Sequence, residues 1–258
     1  MTNDLTANRY GSLCAEIYDL DKPPGALNDI DYYKQRLAGL DGPVLEAAVG
    51  TGRLLIPLLE AGVDVIGFDH SADMLSLCRR NCEARSLAPD LRQARFQDFS
   101  FDTVFAAVTV PVSSFIFVHD FDEALAVLRR FAAHLRSGGR LYIELPRLDF
   151  LTANHEGIRA WTALNGDLLR MDNRHVSTDM LAQTRTDHAV YERWRDSRLI
   201  ESELEVSVAR LWGRHEFEMA LREAGFVDVE VTGNYRGGPP RPGNGILNYV
   251  AVKPNQPS

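Results

Sequence analysis

The chain has 258 residues, 45% of them apolar and 25% charged, with a formal net charge of −8. That mix builds a globular protein with a sizeable core. The acidic balance, without any Lys/Arg run, argues against nucleic acid and against an anionic membrane surface as partners.

Residues 1–8 are polar and lack an apolar h-region, so no signal peptide is expected. No apolar run reaches the roughly 18 residues that a membrane-spanning helix needs. Cys14, Cys78 and Cys82 are odd in number and lack further ligands at metal spacing. They read as reduced packing cysteines, with no metal and a cytoplasmic location. Tyr10, Tyr18 and Tyr32-Tyr33 flank Pro23-Pro24-Gly25, which predicts two short helices in an N-terminal helical lid over residues 1–40.

Residues 41–146 alternate short apolar runs with amphipathic stretches. Strands are predicted at Val44–Val49, Val63–Phe68, Leu91–Phe96, Thr103–Val110 and Arg140–Leu145. Helices are predicted at Arg53–Ala61, at Ser71–Arg85 with Ser71 as N-cap, and at Phe121–Arg136, ended by Ser137-Gly138-Gly139. Apolar strands alternating with helices make a mostly parallel sheet covered on both faces, an α/β fold. After Pro146 the period changes. Leu168–His175, Leu181–Trp194 and Leu199–Leu211 read as antiparallel strands, an insertion over residues 160–212 that serves as substrate lid or homodimer surface. Residues 213–258 follow with a helix at Glu216–Ala224 and strands at Val227–Thr232 and Asn248–Lys253, joined by a loop over Gly237–Gly245. The whole is read as one domain.

Three strand ends carry chemistry. Val44-Leu45-Glu46-Ala47-Ala48-Val49-Gly50-Thr51-Gly52-Arg53 runs a strand into a glycine turn that opens a helix. Gly50 and Gly52 let the backbone turn sharply and a ligand approach closely, and the helix offers N–H groups there. Leu55 stands where a pyrophosphate loop has its third glycine, which weakens a dinucleotide site. Asp69 ends the next strand, where a carboxylate accepts from ribose hydroxyls. Phe96-Gln97-Asp98-Phe99 ends the third, with Asp98 able to accept from an adenine amine and Phe99 able to lie beside the ring. Successive strand ends are where an open α/β sheet binds its ligand.

With these residues the sequence resembles the class I S-adenosylmethionine-dependent methyltransferases, in their small-molecule branch. The resemblance implies a Rossmann-like seven-stranded sheet with a reversed last hairpin, and Phe226 to Gly233 looks like the late strand. It puts Glu46 at the amino acid end of S-adenosyl-L-methionine, Asp69 on the ribose, Met74 against the adenine and Asp98 on the adenine amine. Ala48, Arg53, His70, Gln97, Phe99 and Ser114 complete the expected cofactor set with Gly50 and Gly52. Tyr18, in Ile17-Tyr18-Asp19-Leu20, looks like the leader tyrosine that closes over the cofactor in small-molecule N-methyltransferases. Ala48 departs from the family's glycine.

The fourth strand leads into Ser113-Ser114-Phe115-Ile116-Phe117-Val118-His119. Related sugar N-methyltransferases carry a Ser-Ser-aromatic segment followed by a histidine, where this chain has Phe117. His119 is therefore the candidate base, with Tyr18 beside it as a catalytic candidate. Tyr10, Phe115, Phe117, Arg147, Tyr191 and Trp212 are the candidate substrate contacts, the aromatics through cation–π attraction. The expected reaction is methylation of a small-molecule amine, hydroxyl or carbon. The alternatives are an enzyme that consumes S-adenosylmethionine without methyl transfer, releasing methylthioadenosine, a non-catalytic binding protein, and a nicotinamide dehydrogenase.

Overall fold

A computed structural model describes residues 9–255, so the polar segment 1–8 read above lies outside the described residues. The leader forms two helices, α1 (Ser12–Asp21) and α2 (Ile30–Leu37), on either side of the Pro-Pro-Gly break. Then β1 (Val44–Ala47), α3 (Leu55–Glu60), β2 (Val65–Asp69), α4 (Ala72–Glu83), β3 (Leu91–Gln93), β4 (Phe105–Val110), α5 (Phe121–His134) and β5 (Leu135–Pro146) alternate. Four further strands follow: β6 (Gly157–Thr162), β7 (Leu168–Asp179), β8 (Thr184–Arg195) and β9 (Arg198–Arg210). The described chain closes with α6 (Arg214–Glu223), β10 (Val227–Gly233) and β11 (Ile246–Val252).

One sheet has seven strands in the order β10-β11-β5-β4-β1-β2-β3. All its pairings are parallel except those of β11, which runs antiparallel to both β10 and β5. This is the Rossmann-like arrangement with a reversed strand that the sequence predicts. Both faces are covered, so the central strands are mostly apolar, with Glu46 and Glu144 as buried exceptions. Phe68, Phe99, Phe131, Leu141 and Phe217 fill one side, and Tyr33, Val44, Leu55, Val65 and Cys78 fill the other.

Local chemistry fixes the element ends. The Ser71 side chain accepts from the Met74 N–H and caps α4, with Asp73 in the first turn where the dipole favours an acid. Ser137-Gly138-Gly139 does not cap α5. The helix stops at His134, the chain turns extended at Leu135, and the glycine pair is an irregularity inside β5. There the Gly138 N–H donates to the Lys253 carbonyl and the Lys253 N–H to the Gly139 carbonyl. Tertiary pairing with the end of β11 overrides the local cap signal.

The insertion is a separate antiparallel sheet, β6-β7-β8-β9, with one strand more than the three extended runs read from sequence. The missed strand is Gly157-Ile158-Arg159-Ala160-Trp161-Thr162. Its sheet grips the leader. The Arg9 and Tyr10 N–H groups donate to Glu205, and the Leu13 N–H donates to Glu203 Oε2 at 3.1 Å. Gly11, at the N-cap of α1, has no side chain for that task, so a carboxylate 190 residues away supplies the cap. From the other side Ser71 Oγ donates to the Tyr10 carbonyl at 2.7 Å. The leader is thus pinned across the ends of the large sheet. No helix among the described residues is long and apolar enough to cross a membrane.

Losing a helix cap costs about 1 kcal/mol. Glu203→Ala should lower unfolding free energy by about that amount and speed hydrogen exchange at the Leu13 amide. Unchanged exchange at that amide would reject the capping role.

Candidate active site at the ends of the parallel strands

The site is built around the turn between β1 and α3. Ala48, Gly50 and Gly52 lie at φ of +57°, +56° and +91°. Glycine meets this at no steric cost, whereas the Ala48 methyl sits in a conformation that costs an L-residue about 1–2 kcal/mol. A Cβ at Gly52 would come within 3.0 Å of Cys78 Sγ and 3.1 Å of Ile56 Cδ1, so helix α3 closes on α4 only over a bare backbone.

Asp69, at the tip of β2, fastens this turn. Its Oδ2 accepts from the Gly50 N–H and its Oδ1 from the Ser71 N–H, both at 2.9 Å. Each carboxylate oxygen keeps a further acceptor position. His70 Nδ1 lies 3.4 Å from Oδ1. Tyr18 crosses in front of the turn, its ring 3.7 Å from where a Gly50 Cβ would stand. The Lys22 ammonium lies 4.7 Å above the Tyr18 ring, and burial pushes the phenol up to about 12.

Arg53 is already committed. Its guanidinium meets Asp29 bidentately, at 2.7 and 2.6 Å, and donates to the Ala26 carbonyl at 2.7 Å. Both side chains are almost fully buried. Arg53 therefore joins the leader to the glycine turn, and its fork is spent inside the protein rather than facing a ligand. Glu46 lies near this pair but gains little from it. Its Oε2 is buried and has no hydrogen-bond partner among the described residues. Burial raises its pKa to about 8 against the attraction of Arg53, whose charge Asp29 largely neutralises, and the Asp29 and Asp69 charges push the same way. An unpaired carboxyl oxygen beside a bare glycine bend, with spare acceptor positions on Asp69, fits a ligand that brings an ammonium group and hydroxyls. The amino acid and ribose ends of S-adenosylmethionine have those groups.

The other expected residues fall into two groups. Met74 is buried in the first turn of α4. His70 and Asp98 line one open groove of about 550 Å³ with Gln93 and Arg95, and Gln97 lies half-buried in the same turn. Asp98 is exposed and partly occupied, since it accepts from the Arg95 N–H at 2.8 Å. Tyr10 sets its ring edge-on to His70 and to Phe117, at 6.0 and 6.1 Å, forming an aromatic corner. Ser114 closes the loop after β4 through its Oγ on the Pro111 carbonyl.

Several residues lie elsewhere. Phe99 is fully buried between Phe68 and Phe131, stacked at 4.8 and 5.4 Å, so its ring belongs to the core and not beside an adenine. Phe115 and Trp212 are likewise core, packed against Phe217. Tyr191 lies on β8, half-buried against α1 and hydrogen-bonded to Cys14. Arg147 pairs with Asp149 at 2.7 Å and ties β5 to the loop around Asn244. His119 is exposed beyond the short 3-10 turn Ser114–Phe117.

Sequence reading missed Asp29 and Glu144. Glu144 on β5 is 1% exposed, and its pKa is pushed up to about 7 by burial. An acid within Leu141-Tyr142-Ile143-Glu144-Leu145 was the available signal, the same signal that Glu46 gives in β1.

Comparison with known proteins supplies independent support. A methyltransferase-domain family model matches residues 44–139. A cypemycin N-terminal methyltransferase from Streptomyces sp is 34% identical over 142 residues, covering 52% of this chain and 55% of that protein. A dTDP-3-amino-3,6-dideoxy-alpha-D-glucopyranose N,N-dimethyltransferase from Streptomyces fradiae is 33% identical over 144 residues, covering 52% and 54%. The chain thus matches about half the length of these curated relatives. The crystal structure of a sugar N-methyltransferase from Streptoalloteichus superposes with a TM-score of 0.74 at 22% identity, covering 97% of this chain and 98% of that one.

The Glu46 shift makes stability depend on pH. Because its folded pKa lies above the ordinary value of 4.5, it favours folding below that value, and the contribution is lost as pH rises through about 8. Glu46→Gln should therefore gain in melting temperature relative to the native chain as pH goes from about 5 to about 9. A difference that stays constant over that range would reject the shift.

Proposed function

We propose that the chain is a class I S-adenosylmethionine-dependent methyltransferase and that it methylates an amine on a small molecule. When bound, S-adenosylmethionine supplies a methyl group already activated on a sulfonium. The protein's share is then binding, alignment and exclusion of water. Glu46 offers its unpaired oxygen to the cofactor's amino group. Asp69 offers its remaining acceptor positions to the ribose hydroxyls, and Met74 an apolar surface to the adenine. Tyr18 closes the front, with Tyr10 and Phe117 walling the side from which an acceptor enters.

The observation that carries the amine is the charge balance. Glu46, Asp69, Asp29 and Glu144 gather at the strand ends around Arg53, which Asp29 already neutralises. Burial holds Glu46 largely and Glu144 partly protonated near neutral pH, so a cation entering beside them would draw both acids into the charged form, and both the sulfonium and an acceptor ammonium are cations. An amine also needs less help than an alcohol, for it attacks as soon as it loses its ammonium proton. With the cofactor bound, the neutral amine would take the methyl group from the sulfonium, its ammonium proton having passed to water, and S-adenosylhomocysteine would be left. His119 is exposed, which fits an acceptor that makes little demand on a strong base. The relatives that act on amines, including the dTDP-amino-sugar enzyme, agree with this reading.

Incubation with S-adenosylmethionine and a dTDP-3-amino-3-deoxyhexose should give a product one methylene heavier, with S-adenosylhomocysteine. Release of methylthioadenosine, or turnover with hydroxyl acceptors alone, would overturn the proposal. Asp69→Ala should weaken S-adenosylhomocysteine binding by about 1–3 kcal/mol, the size of a lost hydrogen bond to a charged, buried group. Unchanged affinity would remove Asp69 from the ribose.

A further inference from the structure

Beside the glycine turn lies a second set of buried polar groups. Thr232 on β10, Asn248 on β11 and Glu144 on β5 are consecutive partners across three strands. Register partners share a sheet face, so their side chains form one row. They are 2%, 2% and 1% exposed. Among the described residues Thr232 Oγ1, Asn248 Nδ2 and Glu144 Oε2 have no hydrogen-bond partner. Tyr142 Oη, two residues before Glu144 on the same face, has none either. Buried polar groups are almost always paired, and one left without a partner destabilises the fold. Four orphans on one face call for something that both donates and accepts.

The row is covered by a strained loop. Asn234 and Tyr235 take φ of +50° and +59°, a region non-glycine residues seldom adopt. The Tyr235 N–H donates to Asn248 Oδ1 at 2.7 Å, and its hydroxyl hydrogen-bonds the Glu144 carboxyl. The Tyr235 ring rests 5.7 Å from that of Tyr32. On the other side Glu144 accepts from the Val112 amide, in the loop after β4. Val112 and Ser113 are themselves left-handed, at φ of +53° and +57°. Across the sheet Tyr142 is the register partner of Thr109 and Thr109 of Glu46, so the same face runs on from the row to Glu46. It therefore adjoins the cofactor site.

We propose that Thr232, Asn248 and Glu144 form an acceptor subsite, closed by the Tyr235 loop, that takes a ring hydroxyl of the molecule being methylated. A hydroxyl donates to Glu144 Oε2 while it accepts from Asn248 Nδ2, which satisfies both orphans with one group. A polyhydroxylated ring bearing an amine then reaches from this row to the methyl donor. This assignment rests on the amine-methylation reading and specifies its acceptor.

The test is calorimetric. S-adenosylhomocysteine is titrated into the native chain, Glu144→Gln and Thr232→Val. The loaded proteins are then titrated with the amino-sugar nucleotide named above. Thr232→Val keeps the side chain's shape and removes one orphan, so its melting temperature should hold or rise. We expect amino-sugar affinity to fall at least tenfold in both variants, with S-adenosylhomocysteine affinity staying within about twofold in Thr232→Val. Unchanged amino-sugar affinity in both variants, or no binding of that nucleotide to the loaded native chain, overturns the subsite. Failure of the native chain to bind S-adenosylhomocysteine instead overturns the methyltransferase reading on which it rests.

Discussion

The buried pair between Arg53 and Asp29 holds the functional end of this molecule together. One guanidinium satisfies a bidentate carboxylate and a backbone carbonyl, with both side chains out of water. Removing either partner of such a pair strands a buried charge, at a cost of about 3–5 kcal/mol. The pair also fixes geometry. Arg53 follows the glycine turn directly and Asp29 stands at the N-cap of α2, so the leader cannot leave without exposing the turn. Because Asp29 uses up the cation, Glu46 and Glu144 are left without a neutralising partner, and burial raises the pKa of both.

Strand patterning made most of the architecture legible. Parallel strands buried on both faces are apolar runs, and helices between them carry one apolar stripe, so Val44–Ala47, Val65–Asp69 and Phe105–Val110 could be read directly. The turn was legible for a different reason. Glycines at two positions after a buried strand, with acids at the next strand ends, meet backbone requirements that few other patterns meet: Gly50 and Gly52 both take positive φ, and the Gly50 N–H donates to Asp69.

Aromatic rings were the hardest to read. Phe99, Phe115 and Trp212 have the same spacing and composition as pocket-lining residues, yet they pack into the core, whereas Tyr10 and Phe117 stay at the rim. A ring's energy comes mostly from area removed from water, and core and pocket supply that equally. Only the third dimension separates them. Asp29 with Arg53, and Glu203 with Leu13, were illegible for a related reason: the partners lie 24 and 190 residues apart. The Ser-Gly-Gly signal after α5 failed because pairing with Lys253 offered its amides a better use than a cap.

Part of the backbone strain sits at the same strand ends. Ala48, Val112, Ser113, Asn234 and Tyr235 are non-glycine residues in left-handed conformations, and all five lie in loops at the strand ends that carry the site. Each holds a conformation that costs about 1–2 kcal/mol and must be restrained by its surroundings. Glu144 supplies restraint to two of these loops together, through the Val112 amide and the Tyr235 hydroxyl. One carboxyl can bind both only by staying buried, and burial leaves its other oxygen without water. In that buried setting Glu144 Oε2 is left without a hydrogen-bond partner among the described residues. A ligand that fills it relieves a cost the fold already carries.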